Sequence, residues 1–366
     1  MRRHSVWLAF TPQDTLLVRD GRSFDAGTDT QARAVWPGPS TLGGAVKAAF
    51  DGAEPGVLRG PVLAHRSSDG WVPYFPVPAD VVTTATGGVT RLAPRALPVE
   101  TDLDDGPAGG LEWLTADTAG EAGKRATGWM SAPALTSYLA GGRPWEESPE
   151  ATPWRLEEDP AVSEPRVGLA RTPDRTARTG FLYRTAHLRL REGWAFLMEC
   201  LPPEGWDREP RPVVALGGYG RRARVERVEG VEWPRSPVSP AGGKGFPAGR
   251  VALYLATPAV WPSGWLPGLP PGARLVAAAT GEPEPVATAS PSADRRAWRE
   301  SRRLLWAVPA GSVYLLEFAD AGAASRFALG GDDGENGGVH GTAYGREPED
   351  RLRTTGFGVV LTGVWR

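Results

Sequence analysis

EPRVGLAR (164–171), TPDRTART (172–179) and GFLYRTAHLRL (180–190) read as the two arms and the turn of one long hairpin. The second arm alternates. Phe181, Tyr183, Thr185, His187, Arg189 and Arg191 fall on one face, with Leu182, Arg184, Ala186, Leu188 and Leu190 on the other. The second set is apolar apart from Arg184. It is expected to pack inward, leaving Phe181, Tyr183, His187 and two arginines outside. Between Arg166 and Arg191 there are seven arginines against one acid, Asp174, in a chain of formal net charge −2. The excess is a local patch. Guanidinium groups interleaved with rings can grip phosphates with forked hydrogen bonds and stack on unpaired bases. A solvated arginine-rich hairpin has the same composition, so placement must decide between the two.

Outward from the hairpin, GWAFLMECL (193–201) is a near-continuous apolar run, expected for a central strand. VWLAF (6–10), VVALGGYGRRARVE (213–226), RVALYLATPAVW (250–261), ARLVAAATG (273–281), SRRLLWAVPAGSVYLLEF (301–318) and GFGVVLTGVW (356–365) also read as strands. TLGGAVKAAF (41–50) reads as a helix with Ser40 as N-cap and Leu42, Val46 and Phe50 on one face. Its amino end offers free backbone N–H groups to an anion near Ser40 and Thr41, although a capped core helix has the same sequence. APALTSYLAGG (132–142) and AGAASRF (321–327) are further helix candidates, and VPYFPVP (72–78) looks like an edge segment. Residues 83–160 are turn-rich and are expected to be loops and an insertion. PPEGWDREPRP (202–212) reads as a linker, dividing the chain into 1–203 and 204–366. Strands dominate both halves with one or two helices in each, which predicts an α+β fold over alternating βαβ units.

Composition narrows the chemistry. With 366 residues the chain is long enough for two domains, and 47 glycines and 36 prolines favour short strands and turns. The basic residues are arginines apart from Lys47, Lys124 and Lys244, a bias that codon usage alone explains. The single cysteine, Cys200, excludes an intramolecular disulfide and a cysteine zinc cluster, and its apolar surroundings predict a buried thiol. The amino terminus has too short an apolar run for a signal peptide, and no stretch approaches about 18 apolar residues, so a soluble, cytoplasmic protein with no membrane partner is expected. His4, His65, His187 and His340 are scattered without metal-ligand spacing; no metal and no cofactor is expected. GGKG (242–245) lacks the spacing of a Walker phosphate loop. LGGYGRR (216–222) offers Gly218 for close backbone approach, Tyr219 for stacking and two arginines, Arg221 and Arg222, for phosphate, and equally describes a turn before a charged strand. His187 beside Tyr183 and arginines contains the pieces of a ribonuclease, but a histidine on a strand face is more often structural.

RDGRSFDAG, WPGPSTLGGAVKAAF, the 164–190 hairpin, LGGYGRRA, AVPAGSVYLLEF and GFGVVLTGVW, in this order, resemble the third-subunit family of the Cmr (type III-B CRISPR) effector complexes, within the RAMP superfamily. The likeness runs from about residue 13 to 365 and is weakest across 83–160 and 281–300. It implies two ferredoxin-like (RRM-like) RAMP domains with insertions, the first carrying the insertion at about 83–160 and a β-hairpin thumb at about 164–191, the second a glycine-rich loop. It also implies a non-catalytic subunit, not an enzyme, that binds the 5′ handle of the crRNA in antiviral defence. The implied protein partners are the large Cas-ten-type subunit, which it anchors, and a backbone RAMP subunit of the complex. GFG (356–358) matches the glycine-rich loop through Gly356 and Gly358. The residues and the resemblance together nominate Arg19, Arg22, Ser40, Lys47, Arg171, Arg175, Arg178, Phe181, Tyr183, Arg184, His187, Gly218, Tyr219, Arg221, Gly356 and Gly358 for RNA binding. The alternatives are a RAMP-superfamily endoribonuclease processing guide-RNA precursor through His187 or His340, and a scaffold whose arginines meet acidic protein surfaces.

Overall fold

Strands buried on both faces need unbroken apolar runs, and the centre of this protein is built from them. The computed structural model describes residues 4–18, 34–96, 110–116, 123–147, 154–237, 245–287, 304–330, 337–345 and 355–365. Arg19 and Arg22 lie outside the described residues. In chain order come β1 (Val6–Pro12), α1 (Pro39–Ala49), β2 (Leu58–Ser67), β3 (Gly70–Pro76) and the short strands β4 (Val81–Thr83), β5 (Val89–Arg91), β6 (Ala93–Arg95), β7 (Trp113–Thr115), β8 (Lys124–Arg125) and β9 (Trp129–Ser131). Helices α2 (Ala132–Leu139) and α3 (Pro144–Glu147) lead to the hairpin arms β10 (Ala161–Arg171) and β11 (Ala177–Leu190), then β12 (Trp194–Cys200), β13 (Val213–Ala215) and β14 (Arg222–Val228). The remainder is β15 (Arg250–Leu255), β16 (Ala273–Ala279), β17 (Glu284–Ala287), β18 (Leu304–Ala307), β19 (Val313–Phe318), α4 (Ala321–Leu329), β20 (Thr342–Ala343) and β21 (Val359–Gly363). This is a mixed α+β fold of antiparallel sheets with few helices.

Two sheets carry the core. One has seven strands in the order β13-β14-β1-β12-β2-β3-β9, the other five in the order β16-β19-β15-β21-β20. They pack face to face. Trp7 and Ala9 of β1, Val62 and Ala64 of β2, and Ala195 and Leu197 of β12 share one buried cluster with Ala252 and Tyr254 of β15, Val313 and Leu315 of β19, and Val359 and Leu361 of β21. Many of these side chains are alanine, which lets the two faces approach closely. The intervening residues point the other way: Leu8, Phe10, Phe196 and Met198 pack with α1, and Leu253, Tyr314 and Leu316 pack with Ala324 and Ala328 of α4. Period-two alternation therefore assigns every second residue of a central strand to a different core. The expected central strand is β12, all seven residues of it buried, and Cys200 in it has its thiol pushed up to about 12 by burial and by Glu199.

Several expectations are corrected. The helix at 39–49 buries Leu42, Val46 and, at its C-cap, Phe50 as read, but Gly38, not Ser40, is its N-cap. Pro39 takes the first helical position, where its missing N–H removes one of the unpaired donors of the first turn. The segment 202–212 is no inter-domain linker. Trp206 packs edge-on against Phe50 at 5.1 Å, and Arg208 pairs with Asp51 at 2.9 Å, so it clamps the end of α1. β13 and β14, expected in the second half, hydrogen-bond to the first sheet through β1, and the crossover between sheets falls after Val228. VPYFPVP lies in β3 between β2 and β9, yet β9 pairs only with Tyr74–Pro76, so the strand is an edge where Pro73 sits. Within 83–160 the described residues include short strands as well as loops. Residues 97–109, 117–122 and 148–153 lie outside them.

Two polar contacts tie the pieces together. Asp80, fully buried, accepts hydrogen bonds from the Tyr138 hydroxyl of α2 at 2.7 Å and from Arg91 Nε at 2.8 Å, while Arg91 Nη1 donates to the Val364 carbonyl at 3.2 Å. Glu199 of β12 accepts from Arg59 of β2 at 2.6 Å and from Trp233 at 2.7 Å, and Arg59 also donates to the Gly341 carbonyl at 2.8 Å. Gly356 marks a close backbone approach between the flanks of the two sheets. Its φ is +102°, and a Cβ there would stand 2.4 Å from the Gly60 carbonyl oxygen. Gly356→Ala is expected to cost more than about 2 kcal/mol in urea denaturation, because left-handed strain and a backbone clash add.

Candidate nucleic-acid interface

The hairpin leaves the body as its own two-stranded sheet, with Glu164 opposite His187, Arg166 opposite Thr185 and Gly168 opposite Tyr183. Its turn closes through Thr172 N–H to the Thr176 carbonyl at 2.9 Å and Arg175 N–H to the Thr172 carbonyl at 2.9 Å. Arg175 occupies the left-handed region at φ +67°, a place usually given to glycine or asparagine.

Root and tip use their arginines differently. At the root, Glu164 accepts from Arg166 at 2.6 Å and Arg189 at 2.7 Å, and Asp14 accepts from Arg189 at 2.9 Å and from Arg221. Arg191 pairs with Glu158 at 3.2 Å. Toward the tip, Arg171, Arg175 and Arg184 are exposed, and no carboxylate among the described residues pairs with them. Nothing is described of the side chains of Arg178, Phe181 and Tyr183.

His187 is the main correction here. It was expected outside with Tyr183, but it is 4% exposed, and its Nδ1 lies 2.9 Å from the Thr15 hydroxyl. Residues 14–17 run along the hairpin root and cover that face: Leu16 and Leu188 exchange backbone hydrogen bonds of 2.7 and 2.8 Å. Thr185, Ala186, His187 and Leu188 are consequently all buried, on both faces. Arg184 was placed on the inward face and is exposed, because by that residue the hairpin has left the body.

Burial, reinforced by Arg166 and Arg221, lowers the His187 pKa from its ordinary 6.5. Hydrogen bonds from Arg189 and Arg166 hold Glu164 below 4.5, and the Thr15 backbone amide with Arg189 and Arg221 holds Asp14 below 3.8. All three folded-state values are depressed, so each group contributes stability that is present above its unfolded value and lost as the pH falls through its folded one. The protection factors of the Leu16 and Leu188 amides, taken relative to intrinsic exchange at each pH, are therefore expected to fall as the pH drops from about 6.5 past about 4, where these groups titrate.

The other nominated residues divide as well. Tyr219 stands 74% exposed at φ +55° in the loop between β13 and β14. Gly218 gives its N–H to the Leu17 carbonyl at 2.8 Å, so the backbone approaching this loop is the protein's own. Arg221 is committed to Asp14. Ser40 is exposed at the start of α1, whereas Lys47 lies in the helix's last turn and pairs with Glu54; the two do not converge. Gly356 and Gly358 are buried against Gly60 and Pro258 instead of lining an open loop. His340 cannot act as a free base: its Nδ1 accepts the Thr362 N–H at 2.9 Å, so its Nε2 donates to the Pro234 carbonyl at 2.8 Å. The facing surfaces of the two sheets are filled by the core they share.

No cluster of three metal-ligating side chains occurs among the described residues, and none of their helices is long and apolar enough to cross a membrane.

Fold and site define an antiparallel two-sheet α+β protein bearing a hairpin with arginines paired to carboxylates at the root and, toward the tip, exposed arginines without a carboxylate partner among the described residues. The family described as CRISPR-associated protein (Cas_Cmr3) matches residues 8–365, and the chain belongs to that family. The resemblance to a Cmr subunit is thereby borne out. No curated protein matches in sequence. Among solved structures, the chain is similar to one in the cryo-EM structure of the Type III-B Cmr-beta bound to cognate target RNA, at 13% identity and TM-score 0.45 over 84% of this chain and 86% of that one. It is also similar to a chain in the crystal structure of the Csm3-Csm4 subcomplex in the type III-A CRISPR-Cas interference complex, at 9% identity and TM-score 0.37 over 86% and 94%.

Proposed function

We propose that this chain is a non-catalytic subunit of a type III-B CRISPR effector complex that binds the 5′ handle of the crRNA through its hairpin thumb and anchors the large Cas-ten-type subunit beside a backbone RAMP subunit. The observation that carries the reading is the division of the thumb's cations, with Arg171, Arg175 and Arg184 exposed and without a carboxylate partner among the described residues, in a member of this family. Such groups exchange counterions for phosphates at little desolvation cost. Tyr219, exposed beside the thumb root, adds a ring on which a base can stack, worth about 1–3 kcal/mol.

Strand order supports reading each sheet as a ferredoxin-like unit. In the first, β1 is flanked by β12 and β14, and β12 by β2; in the second, β15 is flanked by β19 and β21, and β19 by β16. Numbered within each unit, the first strand lies between the third and fourth, and the third beside the second, in both. Each unit keeps one helix of the βαββαβ pattern, α1 in the first and α4 in the second.

A nuclease built on His187 or His340 is disfavoured by the bonds that hold both rings. RNA crosslinking mapped by residue in the co-expressed complex tests the proposal. Adducts are expected along 171–184 and at Tyr219. Cleavage of precursor RNA that disappears in His187→Ala would overturn the non-catalytic assignment.

A further inference from the structure

The buried face between the sheets ends, on the first sheet, at Ala9, Ala64 and Ala195. One step further the same face turns basic. Ala223 and Val225 of β14 pack on the α1 side, so Arg222, Arg224 and Glu226 belong to the face toward the second sheet. In β2, Val62 and Ala64 are on that face, and Arg66 continues it. Arg66 Nη1 lies 3.7 Å from Glu226 Oε1 although β1 and β12 stand between their strands, which confirms a common face.

The electrostatics are one-sided. Arg222 and Arg224 are exposed and have no carboxylate partner among the described residues. Arg66 is 58% exposed, rests on the Trp71 ring at 5.6 Å, and is too far from Glu226 for a hydrogen bond, whose Oε1 finds no other donor. Three guanidinium groups thus face one carboxylate. Arg222 and Arg224 are about 7 Å apart along the strand and project together. The loop carrying Tyr219 leads directly into Arg222, and Arg221 before it joins the thumb root through Asp14.

We propose that this end of the first sheet, formed by Arg66, Arg222 and Arg224, is a second RNA-backbone contact surface, separate from the thumb tip. It rests on the RNA-binding reading above. Unpaired, solvated guanidinium groups on a rigid sheet present fork-shaped donors to phosphate oxygens without ordering a loop. A single strand leaving the thumb root meets them past Tyr219.

The test uses the full chain in co-expressed complex, with single-stranded repeat-derived RNA as the probe and affinity followed against salt. The triple variant R66Q/R222Q/R224Q keeps a polar, hydrogen-bonding side chain at each position while removing its charge, and its thermal midpoint checks that it folds. The salt slope is expected to fall by about 2, from roughly 0.7 per lost phosphate contact, independently of a thumb-tip variant. An unchanged slope in the sheet-end variant, with the thumb-tip variant reducing it, overturns this surface alone. Loss of a co-purifying subunit with RNA binding intact would assign the patch to protein and overturns it equally. Absence of salt-dependent RNA binding in the wild-type complex would instead remove the RNA reading itself.

Discussion

Replacing Arg171, Arg175 and Arg184 together by alanine is expected to lower the salt dependence of RNA binding by about 2 in log–log slope and to weaken affinity roughly a hundredfold at about 0.1 M salt. Each of these groups is exposed, and none has a carboxylate partner among the described residues, so its removal deletes a phosphate contact without unpairing an internal acid. The root arginines behave differently. Arg189→Ala strips partners from both Asp14 and Glu164 and is expected to loosen the hairpin before it affects RNA. Arg175 permits a sharper separation. An L-residue in the left-handed region costs about 1 kcal/mol that glycine avoids, so Arg175→Gly is expected to preserve or raise hairpin stability while weakening RNA binding. Fluorescence anisotropy against salt and hydrogen exchange across 161–190 measure the two effects. Retained affinity in the triple variant would remove the thumb tip from the RNA path.

Asp80→Ala is expected to destabilise the protein by about 3–5 kcal/mol, the cost of leaving a buried ion without its partner. Asp80 is fully enclosed, and its loss strands the Arg91 guanidinium and the Tyr138 hydroxyl. Arg91 lies 4.1 Å over the Tyr138 ring and also holds the carbonyl of Val364, so the damage spreads from the 78–95 segment to α2 and the last strand. Tyr138→Phe removes one charge-assisted hydrogen bond and is expected to cost about 1.5–3 kcal/mol. Urea titration followed by tryptophan fluorescence gives both values. A loss below about 1 kcal/mol for Asp80→Ala would mean that water or another group satisfies Arg91 once the carboxylate is gone.

Much of the fold was legible because burial leaves a local trace. The apolar run at 194–200 reads as a strand enclosed on both faces, and Leu42, Val46 and Phe50 read as one helical face. The hairpin showed itself through two arms and a proline–aspartate turn. Where the reading went astray, a distant segment intervened. Residues 202–212 have the composition of a linker, yet Asp51 and Phe50 hold them against α1. The pattern at 213–228 says strand but not which sheet, since pairing with β1 is settled some 200 residues away. GFG was matched to a glycine-rich loop at RNA, but its glycines are buried against Gly60 and Pro258.

The amino-acid sequence by itself determined the strand-rich α+β character, the arginine hairpin and the family likeness, since periodicity, turn chemistry and motif order are properties of neighbouring residues. Only the tertiary structure decided which arginines are available. Asp14 neutralises Arg189 and Arg221 across 175 and 207 residues of chain, and Thr15 closes over His187 across 172. Arg222, one of the two arginines of LGGYGRR, and Arg224 have no carboxylate partner among the described residues, because β14 turns one face into a core and leaves the other at the open end of a sheet. Charge pairing and burial depend on what folding brings alongside a residue, and local periodicity carries no record of that.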